Sequence, residues 1–323
     1  MGVTAQAPFL HPVSWRPRPV VPALLALALV AAGCAPRLAL RRAGLPEAAR
    51  VEGVPVIRQT RNHCGPAALA MVLAWAGRPA DPADLGPLVY TPARKGTFPS
   101  DLAREARGRG LLAWRILPEP ERLFAEVAAG HPVLVLENRG LSWAPVYHYS
   151  VLVGYGPGGV ILHAGGELPE EVATGTFVRT WLRAGGFGLV VLPPGELPAT
   201  AGPEDVLDAL ANLEEAGRTA EAARGYRAFL ARWPEDWRGA FGWGNALWAA
   251  GDLAGAEAAL RRAHATAPER PEPLNNLALV LARLGRRDEA WAVARMAVEA
   301  AERLGLDPGP YRETERGVGT LGH

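Results

Sequence analysis

The sequence is poor in cysteine, in excess charge and in long apolar runs, and each shortage excludes something. Only Cys34 and Cys64 are present, so at most one internal disulfide could form, and no disulfide framework holds the fold. No Cys-x-x-Cys or His-x-x-x-His pair occurs, which removes the short-spaced ligand pairs of a structural zinc site; neither metal nor cofactor is expected. The 34 Lys and Arg are balanced by 33 Asp and Glu, leaving a formal net charge of +1 and no basic stripe suited to nucleic acid. The apolar run Val20 to Ala32 falls short of the ~20 residues that cross a bilayer. No nucleotide-binding loop accompanies it.

A hydrophobic content of 49% with 21% charged residues is ordinary for globular protein, and 323 residues suit about two domains. At the N terminus Arg16 and Arg18 precede the apolar run, and Ala31-Ala32-Gly33-Cys34 follows with small residues before the cysteine. Residues 1–33 read as an export signal. They resemble a bacterial lipoprotein signal, which implies cleavage before Cys34 and lipidation of its thiol. A plain signal peptide or a single-pass anchor is the alternative. The expected location is the cell envelope, outside the cytoplasm and held to a membrane by lipid, with residues 34–51 as tether. Cys64 is then an exported thiol without an internal partner, which suggests use.

Cys64 opens an apolar helix, Gly65 to about Ala76, directly after the polar run Gln59-Thr60-Arg61-Asn62-His63. A helix start favours thiolate over thiol through its unpaired N–H groups and dipole, and a nearby glutamine amide can donate to an oxyanion. A buried structural cysteine is the bland alternative. Downstream, the sequence predicts a short extended lead-in at 54–58 that Pro55 restricts to an edge strand or loop, helices from Asp81 to Tyr90, over 101–109 with Ser100 as cap, and over 120–129. Strands are expected at 111–117, 132–137, 147–155, 160–163 and 188–192, with a helix near 177–183. His131 reads as a turn residue, His264 as sitting on a helix, and Trp114, Trp143 and Trp181 as core or groove lining. A helix-rich half before an antiparallel sheet is an α+β domain.

Gln59, the Cys64-Gly65-Pro66-Ala67-Ala68-Leu69 helix start and His148-Tyr149-Ser150-Val151-Leu152-Val153-Gly154-Tyr155 together resemble the papain-like bacteriocin-processing cysteine peptidases that cut after double-glycine leaders. The resemblance spans residues 52–195. It implies a nucleophile at Cys64, an oxyanion donor at Gln59 and a base at His148. The family's orienting aspartate would fall at Leu162-His163-Ala164-Gly165, where no acid stands. His163 takes that slot in the expected site, with Glu167 and Asn138 as alternatives. A convergence of His63, Cys64, His148 and His163 on zinc is a minor possibility weighed against it.

Residues 196–202 form a linker by composition. Beyond it a 34-residue period runs through Gly217, Gly251 and Gly285, and through Ala222, Ala256 and Ala290. These positions resemble tetratricopeptide repeats and imply three helix pairs over 203–305, with a tail at 306–323. Such a stack presents a concave face to a protein partner. The expected protein is therefore an exported, membrane-anchored cysteine peptidase acting on a peptide or protein, with a docking module. The alternative is a catalytically impaired, peptide-binding scaffold, because the acid is missing.

Overall fold

The computed structural model describes residues 44–60 and 62–320, so the segment read as an export signal, Cys34 and most of the segment read as a tether lie outside the described residues. Among the described residues no helix is long and apolar enough to cross a membrane. In chain order the first unit contains β1 (Ala49–Arg50), α1 (Cys64–Trp75), α2 (Pro82–Val89), β2 (Tyr90–Thr91), a 3-10 turn (Pro92–Arg94), β3 (Gly96–Thr97), α3 (Pro99–Gly108), β4 (Leu112–Ile116) and α4 (Pro120–Ala128). It continues through β5 (Val133–Asn138), β6 (Tyr147–Tyr155), β7 (Val160–His163), β8 (Glu170–Val172), α5 (Thr174–Arg183) and β9 (Gly188–Leu192). The antiparallel sheet runs β4-β9-β5-β6-β7-β8, with β1 paired to the last two residues of β6, while β2 and β3 form a separate hairpin. This unit is α+β, and an all-helical stack follows it.

Helix α1 is apolar on every side, and Gly65 through Leu73 are all buried. It packs on β6 on one side and on α2 and α3 on another. Full burial of Leu69, Met71 and Leu73 contributes about 1.5–3 kcal/mol apiece. Gly77 closes the helix at φ +76°, a conformation that other residues pay to adopt. At 54–58, where the sequence leaves an edge strand or a loop open, a loop forms, and two other local expectations differ from what forms. Pro55 supplies no N–H there, the flanking backbone is tied down at Val51 and Gln59, and Pro55 O accepts from His163. Helix α3 begins at Pro99 rather than after Ser100, and no side chain caps it. Trp114 and Trp181 are core, but Trp143 is 82% exposed at the tip of the β5–β6 connection.

The stack contains α6 (Pro203–Glu215), α7 (Thr219–Arg232), α8 (Trp237–Ala249), α9 (Leu253–Thr266), α10 (Pro271–Arg283) and α11 (Arg287–Arg303). The turn inside each helix pair holds a glycine at positive φ, at Gly217, Gly251 and Gly285. The alanines in phase with them, Ala222, Ala256 and Ala290, are fully buried at the helix crossings. Residues 306–323, read as a tail, contain a further helix, α12 (Gly309–Thr320), which packs on α10 and α11 and buries Val318. Pro308-Gly309-Pro310 and a single buried anchor gave the sequence little sign of it.

The stack is not hung on a loose strap. One continuous apolar cluster runs from α1 and the sheet through Leu111 and Trp114 to Val206, Leu210, Leu213 and Phe229 of the first helix pair. The linker between them is gripped from both ends. Buried Glu126 of α4 accepts from the Ala199 and Thr200 N–H groups at 3.0 and 2.7 Å, from the Thr200 hydroxyl at 2.7 Å and from His131 Nδ1 at 2.7 Å. Arg122 donates to the Thr200 carbonyl, and Arg232 of α7 to the Pro198 and Ala199 carbonyls. Burial alone would raise the Glu126 pKa, but the bonds from His131, Thr200 and Ala199 outweigh it and hold the carboxyl below its ordinary range.

Glu126→Gln should cost about 2–3 kcal/mol at neutral pH, read as a fall in the denaturation midpoint, because it replaces a charged acceptor of several bonds with a neutral amide. The folded pKa is depressed, so the contribution of Glu126 is present above the unfolded carboxyl value and is lost as pH falls through the folded one. Equal stability of the two proteins at pH 7 would contradict the clasp.

Candidate active site

The site forms where the N terminus of α1 meets the start of β6. The chain approaches through Asn62 at φ +65°, a left-handed turn that asparagine tolerates, and no side chain caps the helix it enters. Cys64 is the first helical residue and is partly exposed. Gly65 follows because the β2–β3 hairpin lies against this turn: a Cβ there would fall 2.6 Å from Thr97 Oγ1. Gln59, Cys64 and His148 all line one cavity of about 730 Å³, together with Thr97, Tyr149 and Ala164.

Gln59 is held from two sides. Its backbone N–H donates to Gly165 O at 3.1 Å, and its side-chain Nε2 donates to Tyr149 O at 3.3 Å. An amide nitrogen has two hydrogens, so one remains for a further acceptor. Gly165 sits at φ +93°, and a Cβ on it would lie 2.2 Å from Gln59 Cδ. Tyr149 donates its hydroxyl to Thr97 O at 3.0 Å, fastening the hairpin to β6. Burial first, then the neighbouring Cys64, pushes the Tyr149 pKa up, so this hydroxyl keeps its proton and its bond.

His148 Nε2 lies 2.9 Å from Ala164 O. A carbonyl can only accept, so Nε2 carries the hydrogen, and Nδ1 is the ring's basic nitrogen. Burial lowers the His148 pKa, as does Arg139, against the opposing pull of the Ala164 bond, Glu137 and Glu170. The ring is therefore a neutral base at neutral pH.

His163 does not orient His148, which corrects the expectation from sequence. On the paired strands His163 stands opposite Val151, three residues along from His148, and an odd step on a strand turns a side chain to the other face of the sheet. His163 is buried there, with Nδ1 3.2 Å from Pro55 O, and burial lowers its pKa. The alternatives are engaged elsewhere. Glu167 pairs with Arg58 on the surface, and Asn138 Oδ1 accepts from Gly140 and Val146 within its own connection. The orienting acceptor is the backbone carbonyl of the next residue, Ala164. His63 stacks on Tyr90, and among the described residues no group of three or more His, Cys, Asp and Glu side chains is placed to hold a metal ion.

Sequence reasoning missed Ala164 because every residue has a carbonyl. It missed the hairpin because two-residue strands show no alternation. Gly165 was findable, since a glycine just after the presumed acid slot invites the question of what approaches it.

In a Cys64→Ala protein, the His148 ring should titrate below the ordinary 6.5 by NMR. His163→Ala should leave that midpoint unmoved while lowering thermal stability, and a shifted midpoint would return His163 to the site. Both rings titrate lower when folded, so the unfolded chain binds protons first. Stability should fall as pH drops through about 6.5 and go on falling down to the folded values.

Residues 51–186 match the Peptidase_C39 like family, and residues 209–271 and 241–303 match the tetratricopeptide repeat. Among solved structures the chain is similar to a protein from Bacillus anthracis described as a C39-like peptidase, at 20% identity and TM-score 0.41, covering 46% of this chain and 98% of that one. It is also similar to the peptidase domain of Streptococcus ComA, a bifunctional ABC transporter, at 22% identity and TM-score 0.38, covering 44% and 99%. The helical part is similar to the Yersinia enterocolitica type III secretion translocator chaperone SycD, at 17% identity and TM-score 0.34, covering 37% and 92%. No curated protein matches the chain. The chain carries a peptidase C39-like domain followed by tetratricopeptide repeats.

Proposed function

We propose that the protein is a cysteine peptidase that hydrolyses peptide bonds through Cys64 and His148, exported and lipid-anchored through Cys34, with the repeat stack docking a protein partner. The observation that carries this reading is the meeting of Cys64, His148 and Gln59 on one cavity, with the imidazole hydrogen-bonded through Nε2 so that Nδ1 is left as base. His148 Nδ1 takes the thiol proton as Cys64 Sγ attacks the peptide carbonyl. The oxyanion is held by the free Gln59 N–H and the Cys64 backbone N–H. His148 then returns its proton to the leaving amine, giving a thioester. Water, deprotonated by the same nitrogen, attacks the thioester, releases the carboxylic acid and restores the thiol.

A carbonyl dipole stabilises an imidazolium less than a carboxylate does, so this site favours proton transfer during attack over a standing thiolate–imidazolium pair. That same substitution of Ala164 O for an acid supports the second reading, a domain that holds peptide without cutting it. The anchor rests on the Gly33-Cys34 signal, and the docking role on the repeats.

Cleavage of a varied peptide library decides between the two readings. With the anchor removed, the wild type should cleave, Cys64→Ala and His148→Ala should not, and Gln59→Ala should lose about 100-fold or more in kcat. Gly165→Ala should behave like Gln59→Ala. Cleavage that survives Cys64→Ala, or no cleavage alongside retained peptide binding, would refute the peptidase. For the anchor, Cys34→Ser should release the protein from membranes; unchanged association with an unmodified Cys34 would refute it.

A further inference from the structure

The β2–β3 hairpin brings the chain's one lysine to the cavity that holds Cys64. Of the 34 Lys and Arg, Lys95 is the single lysine, and it lines this cavity beside Arg94. Its position is built rather than incidental. The backbone at Lys95 is left-handed, φ +51°, closing the 3-10 turn at the hairpin tip. Thr97, two residues on, is tied to Tyr149 by the 3.0 Å hydroxyl bond and packs on Gly65 beside the nucleophile. Arg94 is steadied over the Phe98 ring at 5.2 Å.

The charge at this tip is uncompensated. Among the described residues neither Arg94 nor Lys95 pairs with an acid, and no Asp or Glu lines the cavity. Elsewhere the arginines are commonly paired: Arg139 with Glu137, Arg238 with Asp236 and Glu204, Arg286 with Glu257 and Glu289. Two unneutralised cations on the wall of an acid-free cleft attract an anion to it.

We infer that the cleft selects peptides bearing a carboxylate near the bond lying at Cys64, and that Lys95, with Arg94, receives that carboxylate. Both cations line the same cavity as Cys64, which puts the carboxylate close to that bond. This rests on the proposed peptide-handling site and names its substrate class. The carboxylate could be an acidic side chain or the peptide's own C terminus, and both meet the same ammonium.

The test uses the full chain with Cys64→Ala and fluorescent peptides, so that binding is read whether or not the protein cuts. Four peptides share one sequence: a central Glu, the same with Gln, the same with Lys, and the Gln peptide with a free rather than amidated C terminus. The Glu peptide should bind about fivefold tighter than the Gln peptide at low salt, with the gap closing as salt rises. A gain only for the free C terminus would assign the site to terminal carboxylates. Lys95→Ala should abolish the preference, Lys95→Arg should keep it, and Arg94→Glu with Lys95→Glu should reverse it toward the Lys peptide. Because Lys95 is the sole lysine, acetylation should erase the preference and reductive methylation, which keeps the charge, should not. Equal binding of all four peptides overturns the inference, as does a preference that survives Lys95→Ala. Cys64-dependent cleavage by the wild type that ignores charge would overturn it while leaving the peptidase standing. Charge-selective binding without cleavage would do the opposite.

Discussion

The packing of helix α1 against strand β6 is the constraint from which the site follows. A helix with no polar face cannot slide toward water, so it is held on β6 and the two following helices, and its first residue arrives where β6 begins. Cys64 and His148 come from positions 84 residues apart in sequence, yet each is fixed by a core element rather than by a loop. The parts of the site outside the core elements, Gln59 and the β2–β3 hairpin, are in turn fastened to that frame by Gly165 O, Tyr149 O and the Tyr149 hydroxyl.

The electrostatics of the site are milder than a cysteine–histidine–acid arrangement would supply. His148 has its hydrogen-bond acceptor, but among the described residues no carboxylate bonds to the ring, and Arg139 works against its protonation. Glu137 stands directly across from His148 on β5, but its oxygens are spent on Ser150, Thr180 and Arg139. The imidazole is oriented without being made strongly basic.

The sequence carried the large periodicities well. Helix α1, strand β6 and the 34-residue repeat follow from patterns that burial imposes on many residues at once, and the fused α+β and helical architecture is legible from them. What escaped depended on single contacts between distant positions. The role given to His163 failed because strand register decides which face a side chain meets, and one residue of offset reverses it. Glu126 and His131, five residues apart, look like an ordinary helix end in sequence, and only the return of Ala199 and Thr200 makes them a clasp. Lys95 stands out by composition alone, but its meaning needed the cavity.

Strand β6 also sets a polarity. The chain enters the domain at β1, which pairs with Tyr155 and Gly154, while the cavity opens at the other end of the same strand beside Tyr147 and His148. Nine residues of strand put roughly 26 Å between those ends. The entry of the chain at Ala49 and the mouth of the cleft therefore lie at opposite ends of one strand. An extended polypeptide longer than about eight residues is needed to touch both ends at once.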